Sequence, residues 1–348
     1  MKDIYKKIWE SVDGSPKEER LKNRNDRVLI IDGLNTFIRS WTTSPNLNED
    51  GDHIGGITGS LKSIGYVIRE LNPTRVIIVF DGKDGSSKRK MVYEGYKSER
   101  GKNRFRVNRH YPDLMSEDEE RESMKRQLVW LVDYLDVLPV KTMVYDGIEA
   151  DDVIAYISQH LREQHEDSEQ IITSSDKDFL QLVNDKTIIY SPTKKILYNI
   201  KVLEEEYGVH HKNFILYRIL DGDTSDNIPG IRGCGLKTLI KRFPEITQEH
   251  ITVERLFELA EEKRGKIQIY DTILDNKEQI LMNEKLMRLD YPNIDTHQKL
   301  QILDRFNEDD PSLNKTKFMK IALKYKMMDN WGEFYVWLQD TFGKLVYE

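Results

Sequence analysis

Gly147-Ile148-Glu149-Ala150-Asp151-Asp152-Val153-Ile154-Ala155 puts three carboxylates within four positions at the start of a helix. The apolar stripe of that helix runs on through Ile157 and Leu161, at spacings of three and four. The free N–H groups of a first helical turn favour negative charge by about 0.3–1 kcal/mol per group, but repulsion among three anions can outweigh that gain. Alone, the segment reads as an acid-rich solvated helix start. Its place in the chain argues for more.

Upstream, Val28-Leu29-Ile30-Ile31 has the unbroken apolar character of a strand buried on both faces, and it ends in Asp32-Gly33. Val76-Ile77-Ile78-Val79-Phe80 repeats the pattern and ends in Asp81-Gly82. Between them, Ile57, Leu61, Ile64, Ile68 and Leu71 keep helical spacing until Asn72-Pro73. Ser116 and Glu119 form a capping box before a long helix with Met124, Leu128, Leu131 and Leu135 on one side. Val140 to Tyr145 reads as a third strand that delivers the Glu149 cluster. Ile171-Ile172-Thr173 reads as a fourth, running into Ser174-Ser175-Asp176-Lys177-Asp178, and Thr187 to Tyr190 as a fifth.

Strands alternating with helices imply an α/β fold with a mostly parallel central sheet, and such sheets bind ligands beyond the carboxyl ends of their strands. Asp32, Asp81, Glu149, Asp176 and Asp178 all follow such ends. One Asp-Gly after a strand is an ordinary turn. Several acids gathered at one sheet edge cannot stay ionised without cations. All-oxygen ligands select Mg²⁺ or Mn²⁺, and the single cysteine, Cys234, excludes both a disulfide framework and a cysteine-based zinc site.

The 348 residues, 38% of them apolar, can build one large or two modest domains. No apolar run approaches the roughly 20 residues that span a bilayer, and Met-Lys-Asp-Ile-Tyr-Lys-Lys at the start leads into charge rather than a signal core. A reducing cytoplasmic setting is expected. The net charge of −7 conceals a basic insert of Lys88-Arg89-Lys90, Lys97, Arg100, Lys102, Arg104, Arg106 and Arg109, interleaved with Tyr93, Tyr96 and Phe105. Cations of that kind track phosphates while rings stack on bases, which suits a nucleic-acid strand.

Further on, Asp223 and Asp226 precede Gly230-Ile231-Arg232-Gly233-Cys234-Gly235-Leu236-Lys237. Helical patterns flank this block, with Phe214, Tyr217 and Leu220 before it and Leu236, Leu239, Ile240 and Phe243 after it. The pattern is a helix-hairpin-helix. Its glycines admit a phosphate close to backbone N–H groups, and its second helix offers an N-terminus to the anion. We expect an extension over 1–26, with a short helix at Ile4 to Trp9, and an α/β core over 27–200 that includes the insert at about 84–115. The hairpin region is expected over 201–250 and a helical region over 251–348, where Trp331, Phe334, Trp337, Leu338 and Phe342 serve packing.

These residues together resemble the flap endonuclease or 5′-nuclease family, most closely its stand-alone bacteriophage members and the 5′-nuclease domain of bacterial DNA polymerase I. The resemblance spans about Arg27 to Phe243. It rests on Val-Leu-Ile-Ile-Asp-Gly, Val-Phe-Asp-Gly, Gly-Ile-Glu-Ala-Asp-Asp, Ser-Ser-Asp-Lys-Asp-Phe and Gly-Asp-Thr-Ser-Asp-Asn-Ile-Pro-Gly-Ile-Arg-Gly-Cys-Gly-Leu-Lys-Thr, in that order. It implies a PIN-like sheet with a helical arch, and structure-specific flap endonuclease and 5′-3′ exonuclease activity, with ribonuclease-H-like primer removal as a variant. A catalytically inactive DNA-junction binder and a PIN-like ribonuclease are the alternatives.

By resemblance, Asp32, Asp81, Glu149, Asp151 and Asp152 hold a first metal, and Asp176, Asp178, Asp223 and Asp226 a second. Two Mg²⁺ ions about 3.5–4 Å apart, replaceable by Mn²⁺, would clamp the attacking and leaving oxygens. Tyr96-Lys97-Ser98-Glu99-Arg100 is similar to the family's gateway motif, which assigns Lys97 and Arg100 to the scissile phosphate and Tyr96 to a base. Arg89, Gly233, Gly235 and Lys237 are expected to touch nucleic acid. A K⁺ ion is expected on the carbonyls of Gly230, Ile231 and Cys234. The implied partner is DNA with a 5′ flap, a nick or a free 5′ end, or an RNA–DNA hybrid, bound by a monomer that keeps away from membranes and works among replication proteins no segment identifies.

Overall fold

The computed structural model describes residues 23–99, 116–331 and 333–345. Six strands form one sheet: β1 (Arg27–Asp32), β2 (Arg75–Asp81), β3 (Lys141–Tyr145), β4 (Glu169–Thr173), β5 (Thr187–Ser191) and β6 (Ile196–Tyr198). Their order is β3-β2-β1-β4-β5-β6; β1 to β5 are parallel, and β6 closes the edge antiparallel to β5. The expected mostly parallel α/β sheet is therefore present, with β6 as an additional strand.

β1 shows why both faces are covered. Leu29 and Ile31 point into one apolar cluster and Val28 and Ile30 into the other, as a side-chain period of two requires. The first cluster is roofed by α1 (Gly33–Thr43), α2 (Gly55–Leu71) and the long α4 (Glu117–Leu135), which follows the short α3 (Ser87–Val92). Ile57, Leu61, Ile64, Ile68 and Leu71 of α2 are all 3% exposed or less. At about 1.5–3 kcal/mol per buried large side chain, packing rather than helix propensity holds that helix in place. Asn72 ends it in the left-handed region at φ 46°, and Ser116 caps α4 through the full capping box.

The second cluster lies under α5 (Ala150–Gln164) and is sealed by the helix Thr296–Asn307. Chain from near the C-terminus returns to the first cluster, where Phe318, Trp331, Leu338 and Phe342 are buried. Arg75 ties this return down: its Nε and Nη2 donate to Asp310 Oδ1 at 3.0 and 2.9 Å. A third cluster joins residues from Val209 to Met287 with Tyr96 and passes the expected boundary at 250 without a break. The helix expected at Ile4 to Trp9 lies outside the described residues. No helix among the described residues is long and apolar enough to cross a membrane.

Candidate active site

The topology alone gathers the acids. β1 ends on Asp32, β2 on Asp81, and β4 hands over to Ser174–Asp178, all at the carboxyl edge of one parallel sheet. Asp32 caps α1 by accepting from Asn35 N at 3.0 Å, and its other oxygen accepts from Ser174 Oγ at 3.0 Å. Asp81 accepts from Ala150 N at 2.9 Å, so the first turn of α5 fixes the carboxylate of β2. Asp176 accepts from Asp178 N at 2.8 Å and opens a turn of 3₁₀ helix.

Electrostatics shows which acids share a space. Burial pushes Asp32 up to about 7, against the hydrogen bonds from Asn35 and Ser174, with repulsion from Asp81 and Asp176 adding to it. Asp151 is raised well above the usual carboxylate range by burial, then by Asp176 and Asp32. Asp176 is raised by burial and by its repulsion from Asp223 and Asp226. Acids from five separate chain segments thus act on one another.

The counter-charges sit at two places. Arg218, on α7 (Phe214–Asp221) after the intervening α6 (Ile200–Tyr207), donates from Nε to Asp178 Oδ1 at 2.8 Å and from Nη2 to Asp223 Oδ2 at 2.7 Å. Its two partners respond differently. Asp178 is raised to about 7 by burial and by Asp176 despite Arg218. Asp223 ends below its ordinary value, because bonds from Ser225 and the charge of Arg218 outweigh its burial. Lys97 is the second place: Nζ bonds Glu149 and lies 3.9 Å from Asp226, so one cation spans the two acid groups. Glu149 is held below its usual range because Arg89 and Lys97 outweigh its burial.

The chain after Tyr93 docks on the acidic turn. Lys97, at φ 55°, donates its backbone N–H to Asp226 O at 2.8 Å, while Asn227 Nδ2 donates to Gly95 O at 2.8 Å and Ser98 Oγ at 3.1 Å. The turn itself is closed by reciprocal bonds between Asp223 and Ile228, at 2.9 and 2.7 Å. Gly222 and Gly230 make it possible. A Cβ on Gly230 would stand 2.1 Å from Asp221 O, and Gly222 has φ +73°. A cavity of about 640 Å³ opens beside these acids, lined by Asn35, Asp176, Lys177, Arg218 and Asp223 among others.

Three of the expected site residues are engaged within the fold. Asp152 faces Arg89, whose Nη1 it shares with Glu149: both its oxygens meet Arg89, at 2.5 and 3.0 Å, and Oδ1 also accepts from Asn293 N at 2.9 Å. Arg89 is 4% exposed, and Glu149, Asp152 and the carbonyl of Leu286 engage four of its five N–H donors. Tyr96 is 3% exposed, with its hydroxyl donating to Glu149 at 3.2 Å, so its ring is packed rather than offered to a base. Arg100 lies outside the described residues.

The hairpin falls between α7 and α8 (Leu236–Arg242). Gly233 has φ +83°, and a Cβ on Gly235 would meet nothing within 4 Å, so backbone there faces open space at the start of the helix that carries Lys237. Arg232, Gly233, Thr238 and Arg242 line a groove of about 450 Å³. The carbonyl of Ile231 accepts from Cys234 N at 3.0 Å and that of Gly230 from Gln279 Nε2 at 3.3 Å, each keeping a second lone pair. Cys234 is fully buried, and burial pushes its thiol up to about 12. The sequence reading missed Arg218 and Ser174. Arg218 had a signal: one cation inside an otherwise apolar helix turn, five residues before Asp223.

Residues 27–208 match the 5′-3′ exonuclease, N-terminal resolvase-like domain family. A 5′-3′ exonuclease of Buchnera aphidicola subsp. Acyrthosiphon pisum (strain APS) is 34% identical over 290 residues, covering 81% of this chain and 93% of the relative. DNA polymerase I of Bacillus subtilis (strain 168) is 28% identical over 266 residues, 75% of this chain but 27% of the polymerase. Among solved structures, a bacteriophage T5 D15 flap endonuclease variant in a pseudo-enzyme-product complex with DNA and metal ions superposes with a TM-score of 0.62 at 20% identity. It covers 86% of this chain and 99% of its own. That likeness concerns the fold.

Proposed function

The chain belongs to the 5′-3′ exonuclease family, and from that premise we propose that it is a structure-specific 5′ nuclease. It hydrolyses a phosphodiester of DNA at a 5′ flap, nick or free 5′ end with divalent metal ions held in the acidic pocket. The observation that carries this reading is the mutual repulsion of Asp32, Asp151 and Asp176, which burial makes costly. Among the described residues, the salt bridges at this edge go to Glu149, Asp152, Asp178, Asp223 and Asp226 instead. Buried anions left this way suit added cations, and an all-oxygen set suits Mg²⁺, with Mn²⁺ as a substitute.

Asp32, Asp81, Glu149, Asp151, Asp176, Asp178, Asp223 and Asp226 would hold the ions, directly or through water. Bound metal would supply a water nucleophile active at neutral pH and charge stabilisation on the phosphate. Arg218 keeps Asp178 and Asp223 apart at a fixed spacing from one rigid helix. Lys97, poised between Glu149 and Asp226, neutralises charge growing on the phosphate in the transition state. Arg100 is assigned the same task by resemblance alone. Asp152 and Arg89 hold the wall of the pocket. Gly233, Gly235 and Lys237 receive the duplex backbone, and K⁺ on the free lone pairs at Gly230, Ile231 and Cys234 extends that contact.

Purified protein on a 5′-labelled flap duplex, with and without Mg²⁺, tests the reading. Cleavage at the junction or the 5′ end only with Mg²⁺ is expected, and uncut substrate in both arms refutes it.

A further inference from the structure

Away from the acidic pocket, one group of metal-ligating side chains stands out. Glu204 near the C-terminal end of α6, and His210 and His211 in the short connection to α7, each offer a ligand atom, and the three atoms all lie within 4.8 Å of one another. Glu204 Oε1 and His211 Nδ1 are 2.9 Å apart. The imidazoles of His210 and His211 stack at 4.4 Å between centroids, 28° from parallel. His210 Nδ1 accepts from Lys212 N at 3.3 Å, which leaves its Nε2 for another partner. All three side chains are partly buried.

We propose that Glu204, His210 and His211 form a binding site for a late first-row divalent cation of the zinc class. Imidazole nitrogen with one carboxylate favours such ions over Mg²⁺, which requires oxygen throughout. Tetrahedral bonds of about 2.0–2.2 Å put neighbouring ligand atoms about 3.4 Å apart. The observed cluster is wider than that at its limit, and Glu204, 37% exposed but held through Oε1 by His211 N and Nδ1 at 2.9 Å each, would turn its second oxygen toward the ion. The exposed His250 stands close enough to act on both histidines, and Lys212 is the cation beside them.

The site would clip two pieces of structure together. Gly208, at φ 67°, ends α6 beside it, and Asn213 after it donates to Ile246 O and Glu249 O at 2.8 and 2.6 Å. From there α7 carries Arg218 to the acids. A bound ion would take the place of the Nδ1 hydrogen bond to Glu204, beside the one from His211 N, with coordinate bonds from both sides of the connection.

The full-length protein is dialysed against ZnCl₂ with MgCl₂ in large excess to occupy the carboxylate pocket, and bound zinc is counted by mass spectrometry. Co²⁺ in place of zinc reports ligand type through its visible absorption. Wild type is expected to keep about one zinc more than His210→Ala or Glu204→Gln, with imidazole-type Co²⁺ bands lost in both and Mg²⁺-dependent activity unchanged. Circular dichroism checks that each variant folds, and either one alone suffices. Equal zinc counts in wild type and a folded variant overturn the proposal.

Discussion

Arg89 grips Asp152 with both ends of its guanidinium, Nη1 on Oδ2 at 2.5 Å and Nη2 on Oδ1 at 3.0 Å, from 63 positions away. The same Nη1 bonds Glu149, and the side chains of all three are 5% exposed or less. Removing one member of a buried set strands the others without compensation, which costs about 3–5 kcal/mol. Arg89→Ala is expected to lose that much in equilibrium urea unfolding. Arg89→Lys keeps the charge but not the planar fork and should fall in between. A loss within error of zero for Arg89→Ala would show that the grip carries no load.

Asp151 has the reverse character. It is buried among like charges, so Asp151→Asn should raise the melting temperature of the metal-free protein while abolishing Mg²⁺-dependent cleavage. The rise in melting temperature that Mg²⁺ gives the wild type should shrink as well. Scanning calorimetry with and without Mg²⁺ reads both. An Asn variant that cuts at the wild-type rate would remove Asp151 from the metal set.

pH gives a third test. Asp32 and Asp178 titrate near 7 in the fold against an ordinary 3.8. Between those values the folded chain holds protons that the unfolded chain has released. The contribution of these two groups to stability therefore falls as pH rises through the window and stays low above it. Metal competes with the same protons. The Mg²⁺-induced rise in melting temperature should be larger at pH 8 than at pH 5.5, and an equal rise at both would contradict shared carboxylates.

The acid positions were legible because strand, aspartate and glycine recur, and the parallel order of the sheet turns recurrence into convergence. Other features were not. β6 spans three residues, too few for a period to show. α1 begins directly at Gly33, where Asp-Gly alone resembles a turn, and Asp32, expected at a metal, also caps the helix through Asn35. Arg89 and Tyr96 carry the residue types of a strand-binding surface, yet burial against Glu149 assigns them to the wall. Composition alone gives a cation no direction: Asp151 and Asp152 are neighbours in sequence, and the helix turns one toward the pocket and the other toward Arg89.

Glycines separate fold from function. Gly230→Ala forces a Cβ against Asp221 O at 2.1 Å and should cost about 1–3 kcal/mol of stability, with cleavage lost as the Asp223 turn shifts. At Gly235 the space is open, so Gly235→Val should unfold at nearly the wild-type urea concentration. Its side chain would instead block the approach of a phosphate to the backbone, weakening duplex binding. Binding titrations on a blunt duplex beside urea unfolding distinguish the two, and a Gly235→Val protein with wild-type affinity would remove the hairpin backbone from the interface.

Lys97 separates catalysis from architecture. Its backbone is anchored to Asp226 O, so truncating the side chain leaves the main-chain contact in place. Lys97→Ala removes a cation from between Glu149 and Asp226. If Lys97 stabilises the transition state, the single-turnover rate at saturating DNA should drop by about 10²–10³ while the dissociation constant of a flap duplex measured in Ca²⁺ changes little. If it only restrains the carboxylates, the saturated rate at high Mg²⁺ recovers and the loss appears as weaker metal affinity. The Mg²⁺ dependence of the single-turnover rate therefore decides the role, and full recovery at saturating Mg²⁺ would assign Lys97 to holding the acids alone.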